Sequence, residues 1–471
     1  MNKITHETMR DSVVLRWTAL ILVATTMFFG YMFVDVLSPL QSLLETQQGW
    51  APDVYGTFVS SEFFLNVFAF FLIFAGIILD KTGIRFTGIL SGLVMLAGAF
   101  IKWYAISDHF VEGHALFDFL SSFAPSFPAA AKLASLGFAI FGCGLEMAGI
   151  TVSKSIVKWF KGKEMALAMG IEMAIARLGV FAVFRISPYV ANLGSPDVVR
   201  PVALTCALLC IGLLSFLVYA FMDKKLDDQL DLEELASDAV QEEPFKASDI
   251  KQLFTNKVFL IVAFLCVLYY SAIFPFQKFA TSMLESNLGL ETQDASDLFS
   301  WFPVGAMILT PLLGWFLDRV GKGATMLILG SVLVFVCHLT FALFPFEPDS
   351  TLSLFVAYGA IVVLGISFSL VPAALWPSVP HLVDSKYLGS AFSVIFWIQN
   401  FGLWLFPILI GNVLEWTNPS DVLASNGGVY NYTVPMLLFA SLGVFAGMLG
   451  FWLKSEDRKF GYGLEEPNVK S

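Results

Sequence analysis

The sequence predicts an all-α membrane protein whose twelve transmembrane helices form two six-helix halves. Three observations lead to this prediction: an apolar composition, twelve apolar runs of membrane-spanning length, and sequence patterns that recur in both halves. Hydrophobic residues make up 57% of the 471 residues, and charged residues only 14%. Soluble domains carry about 25% charged residues, so this chain has too little polar surface for a water-soluble globule.

A transmembrane helix requires about 20 consecutive, mostly apolar residues. Twelve runs meet this requirement and are numbered as spans 1 to 12. They lie at 17–40, 53–79, 86–106, 131–157, 164–190, 202–222, 257–284, 297–317, 324–344, 352–379, 387–414 and 433–453. The first run has full spanning length, which predicts an uncleaved first span and no cleavable signal.

Lysine and arginine are distributed unevenly between the loops on the two sides of the membrane. The loops on the side of the N-terminus are rich in them, as in residues 158–163. Four loops on the other side contain neither residue, namely 41–52, 285–296, 345–351 and 415–432. Because basic residues favour the cytoplasmic side, both termini are predicted to be cytoplasmic.

The longest polar stretch, 223–256, separates the first six spans from the last six. It is rich in acidic residues and is broken by Pro244, which is typical of a solvated linker. The predicted organisation is therefore an N-terminal half, 1–222, an acidic cytoplasmic linker, 223–256, and a C-terminal half, 257–471.

One short pattern occurs in each half, in the loop after the second span of that half. Each copy has a glycine, then an aspartate and a basic residue four and five positions later, then a second glycine. The first copy consists of Gly76, Asp80, Lys81, Gly83 and Arg85, and the second of Gly314, Asp318, Arg319 and Gly321. Glycine permits close helix approach, and an aspartate at a helix end can bind a cation, so these loops are predicted to restrain the inner side.

A second alignment also relates the halves. An eighteen-residue stretch ending at Gly179 aligns without gaps with one ending at Gly402 and pairs Arg177 with Asn400. Parallel repeats of this kind characterise transporters built from two six-helix halves. Together with the paired loops, the pattern resembles the major facilitator superfamily, whose signature reads Gly-x-x-x-Asp-(Arg/Lys)-x-Gly-(Arg/Lys). The resemblance implies a secondary transporter that works by alternating access.

Charge within an apolar run is costly in lipid and marks functional candidates. The candidates are Asp35, Glu62, Glu146, Glu172, Arg177, Arg185 and Lys278. At 1.5 Å per residue, Glu146 lies about 22 Å from the outer start of span 4, and Arg177 about 20 Å from the inner start of span 5. Both are predicted near the bilayer centre. They either form a structural ion pair or bind the two charges of a zwitterionic ligand.

The other charged candidates allow fewer conclusions. Lys278 follows Pro275, which can free backbone carbonyls for a cavity; the lysine either faces that cavity or snorkels to the outer surface. Asp35 lies toward the outer end of span 1 and is a candidate for the gate or the cavity. Glu172 is expected to pack structurally, because it lies about 140° around the helix from Arg177. Glu62 and Arg185 receive no role.

Neutral residues complete the candidate cavity. Trp376 lies near the end of span 10, and Gln399 and Asn400 lie midway along span 11. An aromatic wall with neutral hydrogen-bonding groups suits a polar ligand. For Trp376 alone, packing between helices is an equally good explanation.

Several short motifs narrow the resemblance to the lysosomal dipeptide uniporter family. They are Phe29-Gly30-Tyr31 through Asp35, Glu146 within residues 142–149, residues 159–164, Ala176-Arg177-Leu178-Gly179, Lys278-Phe279-Ala280, Ala374-Leu375-Trp376-Pro377, and residues 398–403. The resemblance implies a dipeptide substrate, with Glu146 at its amino group and Arg177 at its carboxylate. It also adds Tyr31 to the predicted binding residues.

The chain departs from that family in its acidic linker and in its long outer loop, 107–130. The cytoplasmic N-terminus has no dileucine sorting signal. With basic-poor outer loops, these features predict a bacterial inner membrane.

Alternatives remain at the level of substrate and mechanism. Arg177 and Lys278 could hold an organic anion or an amino acid, which would not need Glu146. A buried carboxylate such as Glu146 could carry a proton, so proton coupling competes with uniport. A membrane receptor that binds its ligand without moving it is a third alternative.

The sequence lacks the motifs that would indicate an enzyme, a metal site or a nucleotide-driven pump. The sequence contains no HExxH or GxxxxGK[ST] motif, its five histidines are dispersed, and its five cysteines fall within apolar runs. We therefore predict no enzymatic activity, no cofactor, no metal and no nucleic-acid partner. The predicted partners are the lipid bilayer and a small solute, with protons as an open alternative.

Overall fold

The computed structural model describes residues 8–230, 253–383 and 388–467, and helices dominate these ranges. In the first half they are α1 (Val13–Val34), α2 (Gln41–Gln48), α3 (Pro52–Phe68), α4 (Phe71–Ile106), α5 (Ala115–Ser121), α6 (Ala129–Trp159), α7 (Met165–Ala191) and α8 (Val199–Asp227). In the second half they are α9 (Lys257–Leu288), α10 (Thr292–Phe299), α11 (Trp301–Val320), α12 (Gly323–Leu343), α13 (Thr351–Leu382), α14 (Leu388–Thr417), α15 (Ser420–Ser425) and α16 (Thr433–Phe460).

These helices confirm the twelve predicted crossings. Eleven helical segments of the described chain are long and apolar enough to span a membrane. The remaining crossing is span 2, which consists of α3 and the first part of α4. Gly83, with φ 79° and ψ 172°, breaks α4 and separates span 2 from span 3. An even number of crossings places both ends on one side, which we call the termini side; the other is the far side.

The predicted linker, 223–256, lies mostly outside the described residues. Its first residues continue α8, which ends at Asp227. Asp223 is buried and accepts hydrogen bonds from the Lys158 ammonium at 2.8 Å and the Trp159 indole at 3.1 Å. The start of the acidic stretch therefore belongs to the packed end of the first half.

The same close helix contact occurs in both halves. A Cβ atom at Gly179 on α7 would lie 2.3 Å from the Phe28 carbonyl oxygen on α1. A Cβ atom at Gly402 on α14 would lie 2.4 Å from the Ser271 hydroxyl on α9. Only glycine allows such close approach, and the two glycines are the ends of the stretches aligned in the sequence. Span 5 thus packs on span 1 as span 11 packs on span 7.

The two halves meet most closely where α3 packs on α14. A Cβ atom at Gly56 would lie 2.3 Å from the Pro407 carbonyl oxygen, and one at Gly411 would lie 2.2 Å from the Pro52 carbonyl oxygen. Both glycines lie toward the far side, so the backbones of the two halves touch there.

Polar contacts between the halves also lie at the far side. Tyr430 donates to Glu45 at 2.6 Å, and Arg185 lies 3.4 Å from Asp297. The ion pairs that the structure describes on the termini side, in contrast, join residues of the same half, as Arg16 joins Glu164. On the far side, close backbone contacts, a hydrogen bond and an ion pair thus join the two halves.

Candidate functional site

Glu146 projects from the middle of α6 into the space between the halves. It is only partly buried, and Asn400 on α14 donates to its carboxylate at 3.4 Å. Its helix lies close to α3, because a Cβ atom at Gly142 would lie 2.1 Å from the Glu62 carbonyl oxygen. Gly142 thus serves packing on α3, Gly144 lies against α4, and the Glu146 carboxylate itself faces the second half.

Arg177 faces the same space from α7. Its guanidinium carbon lies 4.6 Å from the centre of the Phe368 ring and 5.6 Å from that of Phe274, both in the second half. Cation–π contacts of this kind contribute about 0.5 to 2 kcal/mol. Among the described residues no ion pair joins Arg177 to Glu146, so the simple structural pair considered from the sequence is absent.

Arg177 and Asn400 occupy matching positions in the internal repeat, and each reaches across to the opposite half. Arg177 contacts aromatic rings of the second half, and Asn400 contacts the Glu146 carboxylate of the first. The two-fold relation between the halves therefore brings both side chains to one central space.

Aromatic residues form the wall of this space in the second half. The Trp376 indole donates to the Tyr270 hydroxyl at 3.3 Å, and its ring lies 4.9 Å from that of Phe396. Tyr270 stacks on Phe274 at 5.5 Å. Phe274 in turn contacts Arg177, so the wall is continuous from Trp376 to the guanidinium.

Two further residues predicted to bind substrate are Gln399, near this wall, and Tyr31, opposite it. Gln399 is buried, and its side-chain oxygen accepts from the Cys266 thiol at 3.4 Å. Tyr31 on α1 is partly buried and lies within electrostatic range of Arg177 and Glu146. Tyr31 therefore accompanies the two charges, and Gln399 lies behind the surface that they face.

Lys278 does not snorkel to the outer surface. Its side chain is only 7% exposed, and its ammonium lies 2.9 Å from the Asp35 carboxylate of the first half. Gln277 donates to the other oxygen of Asp35 at 2.7 Å, and Ser38 donates to the same carboxylate at 2.9 Å. This pair joins span 1 to span 7 on the far-side half of the bilayer.

Two charged residues beside this pair were not assigned from the sequence. Glu62 on α3 lies 3.9 Å from the Lys278 ammonium, and one of its carboxylate oxygens has no hydrogen-bond partner. Lys102 on α4 was not among the charged candidates, because span 3 was wrongly considered free of charge; a single lysine in an apolar run is the signal that could have found it. Its ammonium is fully buried, has no hydrogen-bond partner among the described residues and lies 4.1 Å from the Phe138 ring centre.

The first signature loop binds within its own half. Asp80 pairs with Lys154 on α6 at 2.7 Å, and Arg85 pairs with Asp223 at 3.2 Å and with Asp227. Lys81 is exposed. Gly83 needs its glycine identity for its positive φ.

The second signature loop is covered by the C-terminal segment that follows α16. The amide of Lys322 donates to the Glu465 carbonyl oxygen at 3.0 Å, and a Cβ atom at Gly321 would lie 2.5 Å from the same oxygen. The Arg319 guanidinium lies 4.5 Å from the Trp315 ring centre. Asp318 lies in the last turn of the same helix, α11.

The first glycine of each signature does not serve the purpose predicted for it. No atom of another described segment lies within 4 Å of a Cβ built at Gly76 or Gly314. Close helix approach at these two positions was expected and is wrong for this conformation, because a side chain there would meet open space.

Charged residues near the termini-side surface pair locally. The Lys163 ammonium lies 3.0 Å from the Asp11 carboxylate and, together with hydrogen bonds from the amide and hydroxyl of Thr8, lowers the pKa of Asp11 to about 2. Arg16 binds both oxygens of Glu164 at 3.0 Å. These contacts tie the N-terminus to the loop between spans 4 and 5.

The fold and this central space define a class of membrane transporter. A family model for the Major Facilitator Superfamily matches residues 20–280 and 277–467 of the chain. The chain belongs to the major facilitator superfamily and is a multi-pass membrane transporter, not an enzyme.

Curated relatives narrow the comparison. The lysosomal dipeptide transporter MFSD1 of Danio rerio is 29% identical over 360 residues, which cover 74% of this chain and 70% of that protein. The protein of the same name from Homo sapiens is 29% identical over 294 residues, which cover 60% of this chain and 59% of that protein. The resemblance to this transporter family is thus confirmed.

Solved structures confirm the fold. The nucleoside transporter NupG superposes with a TM-score of 0.69 at 15% identity, covering 93% of this chain and 99% of that chain. A D-xylose–proton symporter gives 0.66 at 14% identity, covering 93% and 98%. At these identities the likeness establishes the arrangement of the helices and no substrate.

Proposed function

We propose that the chain transports dipeptides across the membrane by alternating access. The observation that carries this proposal is the placement of Glu146 and Arg177. Both are partly exposed to the space between the halves, and each touches the opposite half. They carry opposite charges without forming a described ion pair with each other, so a zwitterion of suitable length can satisfy both.

In this proposal Glu146 binds the amino group of the dipeptide and Arg177 binds its carboxylate. Charge-assisted bonds are about twice as strong as neutral ones, and they would fix the peptide ends while leaving the side chains free. Tyr31, Trp376 and Asn400 then supply aromatic surface and neutral hydrogen-bonding groups around the peptide. Gln399, which binds Cys266, supports that wall from behind.

Asp35 and Lys278 hold the far side closed in the described conformation. Their pair joins the halves and is shielded from water, so it must separate before the far side can open. The signature loops, which include Gly76, Asp80, Lys81, Gly83 and Arg85, are proposed to make the corresponding restraint on the termini side. Gly314, Asp318, Arg319 and Gly321 repeat it in the second half.

The moving units in this proposal are the halves predicted from the sequence, 1–222 and 257–471, joined by the acidic linker. The distribution of lysine and arginine supports a cytoplasmic location for both termini. The described conformation then faces the cytoplasm, and the membrane is the bacterial inner membrane. Uniport is the proposed mode, and proton coupling is the rival that a gradient experiment separates from it.

The test is uptake of a labelled dipeptide into liposomes that contain the purified protein, with and without an imposed proton gradient. We expect saturable uptake that falls about 30- to 150-fold in Glu146→Gln and in Arg177→Ala, because each loses a charged contact of about 2 to 3 kcal/mol. Glu112→Gln and Arg200→Ala are the matched controls, since Glu112 lies in an exposed loop and Arg200 binds only local partners.

Each result has a defined meaning. Uptake that the gradient does not accelerate supports uniport, and acceleration replaces it with proton coupling. Absence of dipeptide uptake by a folded parent protein contradicts the dipeptide assignment. Uptake of organic anions that survives Glu146→Gln but not Arg177→Ala would identify an anion transporter, and ligand binding without any flux would identify a receptor.

A further inference from the structure

Span 2 is broken near the middle of the bilayer. Helix α3 ends at Phe68 and α4 begins at Phe71, and Phe70 between them has φ 51° and ψ 37°. A bulky residue in this left-handed region costs about 1 to 3 kcal/mol and persists only when its surroundings impose it. Helix breaks at membrane depth occur where the backbone lines a cavity, and in transporters they contribute to binding sites.

A small pocket of about 30 Å³ lies at this break. A cavity needs about 10 to 15 Å³ to hold one water molecule, so this one has room for the end of a side chain rather than for a whole ligand. Its apolar walls are Phe70, Leu72, Ile73 and the Trp397 ring. Its polar lining consists of Asn66 from the first half and Ser393 and Asn400 from the second, and none of the described residues that line it is charged.

The pocket adjoins the central charges. Asn400, which lines it, donates to the Glu146 carboxylate at 3.4 Å. A group bound at Glu146 is therefore separated from the pocket by a single side chain.

Asn66 gives the pocket an unused hydrogen-bonding group. It is only 2% exposed, and within the described part of the chain neither its side-chain oxygen nor its nitrogen has a hydrogen-bond partner. Buried polar groups are normally paired, and an unpaired one calls for an explanation. The neighbouring Trp397 indole is already engaged, because it donates to the Val67 carbonyl oxygen at 2.9 Å.

We propose that this pocket binds the side chain of the dipeptide's amino-terminal residue and that Asn66 bonds the polar end of that side chain. The inference rests on the proposed dipeptide function, since Glu146 must hold the amino group for the adjoining pocket to receive that residue. The apolar walls and neutral amides suit the end of an uncharged side chain that has an apolar stem and a small polar end, such as glutamine. A charged side chain would have to be desolvated without a counter-ion.

Uptake of two dipeptide series into liposomes tests this proposal. One series varies the amino-terminal residue among glycine, leucine and glutamine before a constant alanine, and the other varies the carboxy-terminal residue after a constant alanine. For Asn66→Leu we expect the KM for glutamine at the amino terminus to rise about tenfold, as expected for one lost hydrogen bond. The glycine and leucine peptides and the whole carboxy-terminal series should change less than about twofold.

A second variant and a matched control keep the test independent of folding. Ile73→Phe fills the pocket, and we expect it to exclude leucine and glutamine at the amino terminus while uptake of glycyl-alanine continues. Asn412→Leu is the control, because Asn412 is exposed on α14 and bonds only its own helix. Retained uptake of glycyl-alanine reports that each variant is folded.

The outcomes separate the two proposals. A change confined to the amino-terminal series supports the pocket. Dipeptide uptake that Asn66→Leu and Ile73→Phe leave unchanged, or change equally in both series, overturns the pocket and leaves the proposed function standing. Absence of dipeptide uptake by the parent protein overturns both.

Discussion

The ammonium of Lys278 lies 2.9 Å from the carboxylate of Asp35, although 243 positions separate them in the sequence. The two side chains are 7% and 2% exposed and belong to opposite halves of the transporter. Charges buried this deeply must stay paired. The pair therefore makes the stability of the far-side contact depend on one specific side chain from each half.

Removal of one partner is expected to loosen the far side. For Lys278→Ala we expect a loss of about 3 to 5 kcal/mol in the conformation described here, because the Asp35 carboxylate stays buried without its cation. Spin labels at the exposed far-side positions Thr46 and Asp421 would report this as a longer mean distance. Lys459→Ala, which removes a lysine with a 62% exposed side chain, should leave the distance unchanged. An unchanged distance in Lys278→Ala would show that the pair does not hold the halves together.

The glycine contact between α3 and α14 gives an independent prediction. In Gly411→Ala the new Cβ atom would lie 2.2 Å from the Pro52 carbonyl oxygen, a backbone atom that cannot move alone. We expect the two helices to separate and the same far-side distance to increase. Gly359→Ala is the matched control, since no atom outside its own helix lies within 4 Å of a Cβ at that exposed position. A far-side distance equal to that of the control would refute close backbone packing as the restraint.

Glu62 and Lys102 allow a double-mutant cycle. Both are buried, each has an unpaired polar atom, and each lies within electrostatic range of the other. Replacement of both charges by neutral groups of similar size is expected to be neutral or to stabilise the fold by about 1 to 4 kcal/mol. Thermal unfolding in detergent should therefore rank Lys102→Met/Glu62→Gln at or above the parent and above Lys102→Met alone. The exposed Lys225→Met provides the baseline.

Flux through the same double variant decides whether the charges serve transport. Stable protein with full uptake would assign them to structure alone. A double variant that is less stable than Lys102→Met would contradict the desolvation argument, because a favourable pair would then outweigh the cost of burial.

The first signature loop is expected to affect transport far more than stability. Asp80 and Lys154 are 55% and 31% exposed, so their pair contributes only about 0 to 1 kcal/mol. Asp80→Asn should therefore change thermal stability little and reduce dipeptide uptake at least about tenfold, if the loop restrains the termini side during the cycle. Asp108→Asn, in an exposed far-side loop, is the control. Uptake at the control level would remove the loop from the mechanism.

Much of the architecture could be predicted from the sequence. The twelve spans follow from local composition, because lipid penalises any long segment that is not apolar and helical. The internal repeat follows from alignment of the two halves. In the structure, the aligned residues Gly179 and Gly402 each permit a close helix contact at the matching place in their half. The depth of Glu146 and Arg177 in the membrane follows from helix rise alone.

The partners of those side chains could not be predicted in this way. Composition fixes where a residue lies along the membrane normal, but the rotation of each helix and the docking of the halves depend on packing between distant segments. For this reason the sequence left open whether Glu146 pairs with Arg177, and only the structure places Asn400 beside Glu146. The sequence also left open whether Lys278 faces the cavity or the outer surface, and it did not draw attention to Lys102.

The break at Phe70 shows the same limit within a single span. Residues 68–70 read Phe-Ala-Phe, without the proline or glycine that marks a helix break in a sequence. At the break, the Trp397 indole of the other half donates to the Val67 carbonyl oxygen, and its ring stacks on that of Phe70 at 5.5 Å. The sequence by itself therefore determined the number, length and repetition of the membrane helices. Tertiary packing decided which charges meet and where a helix opens, because contacts between the halves carry no local signal.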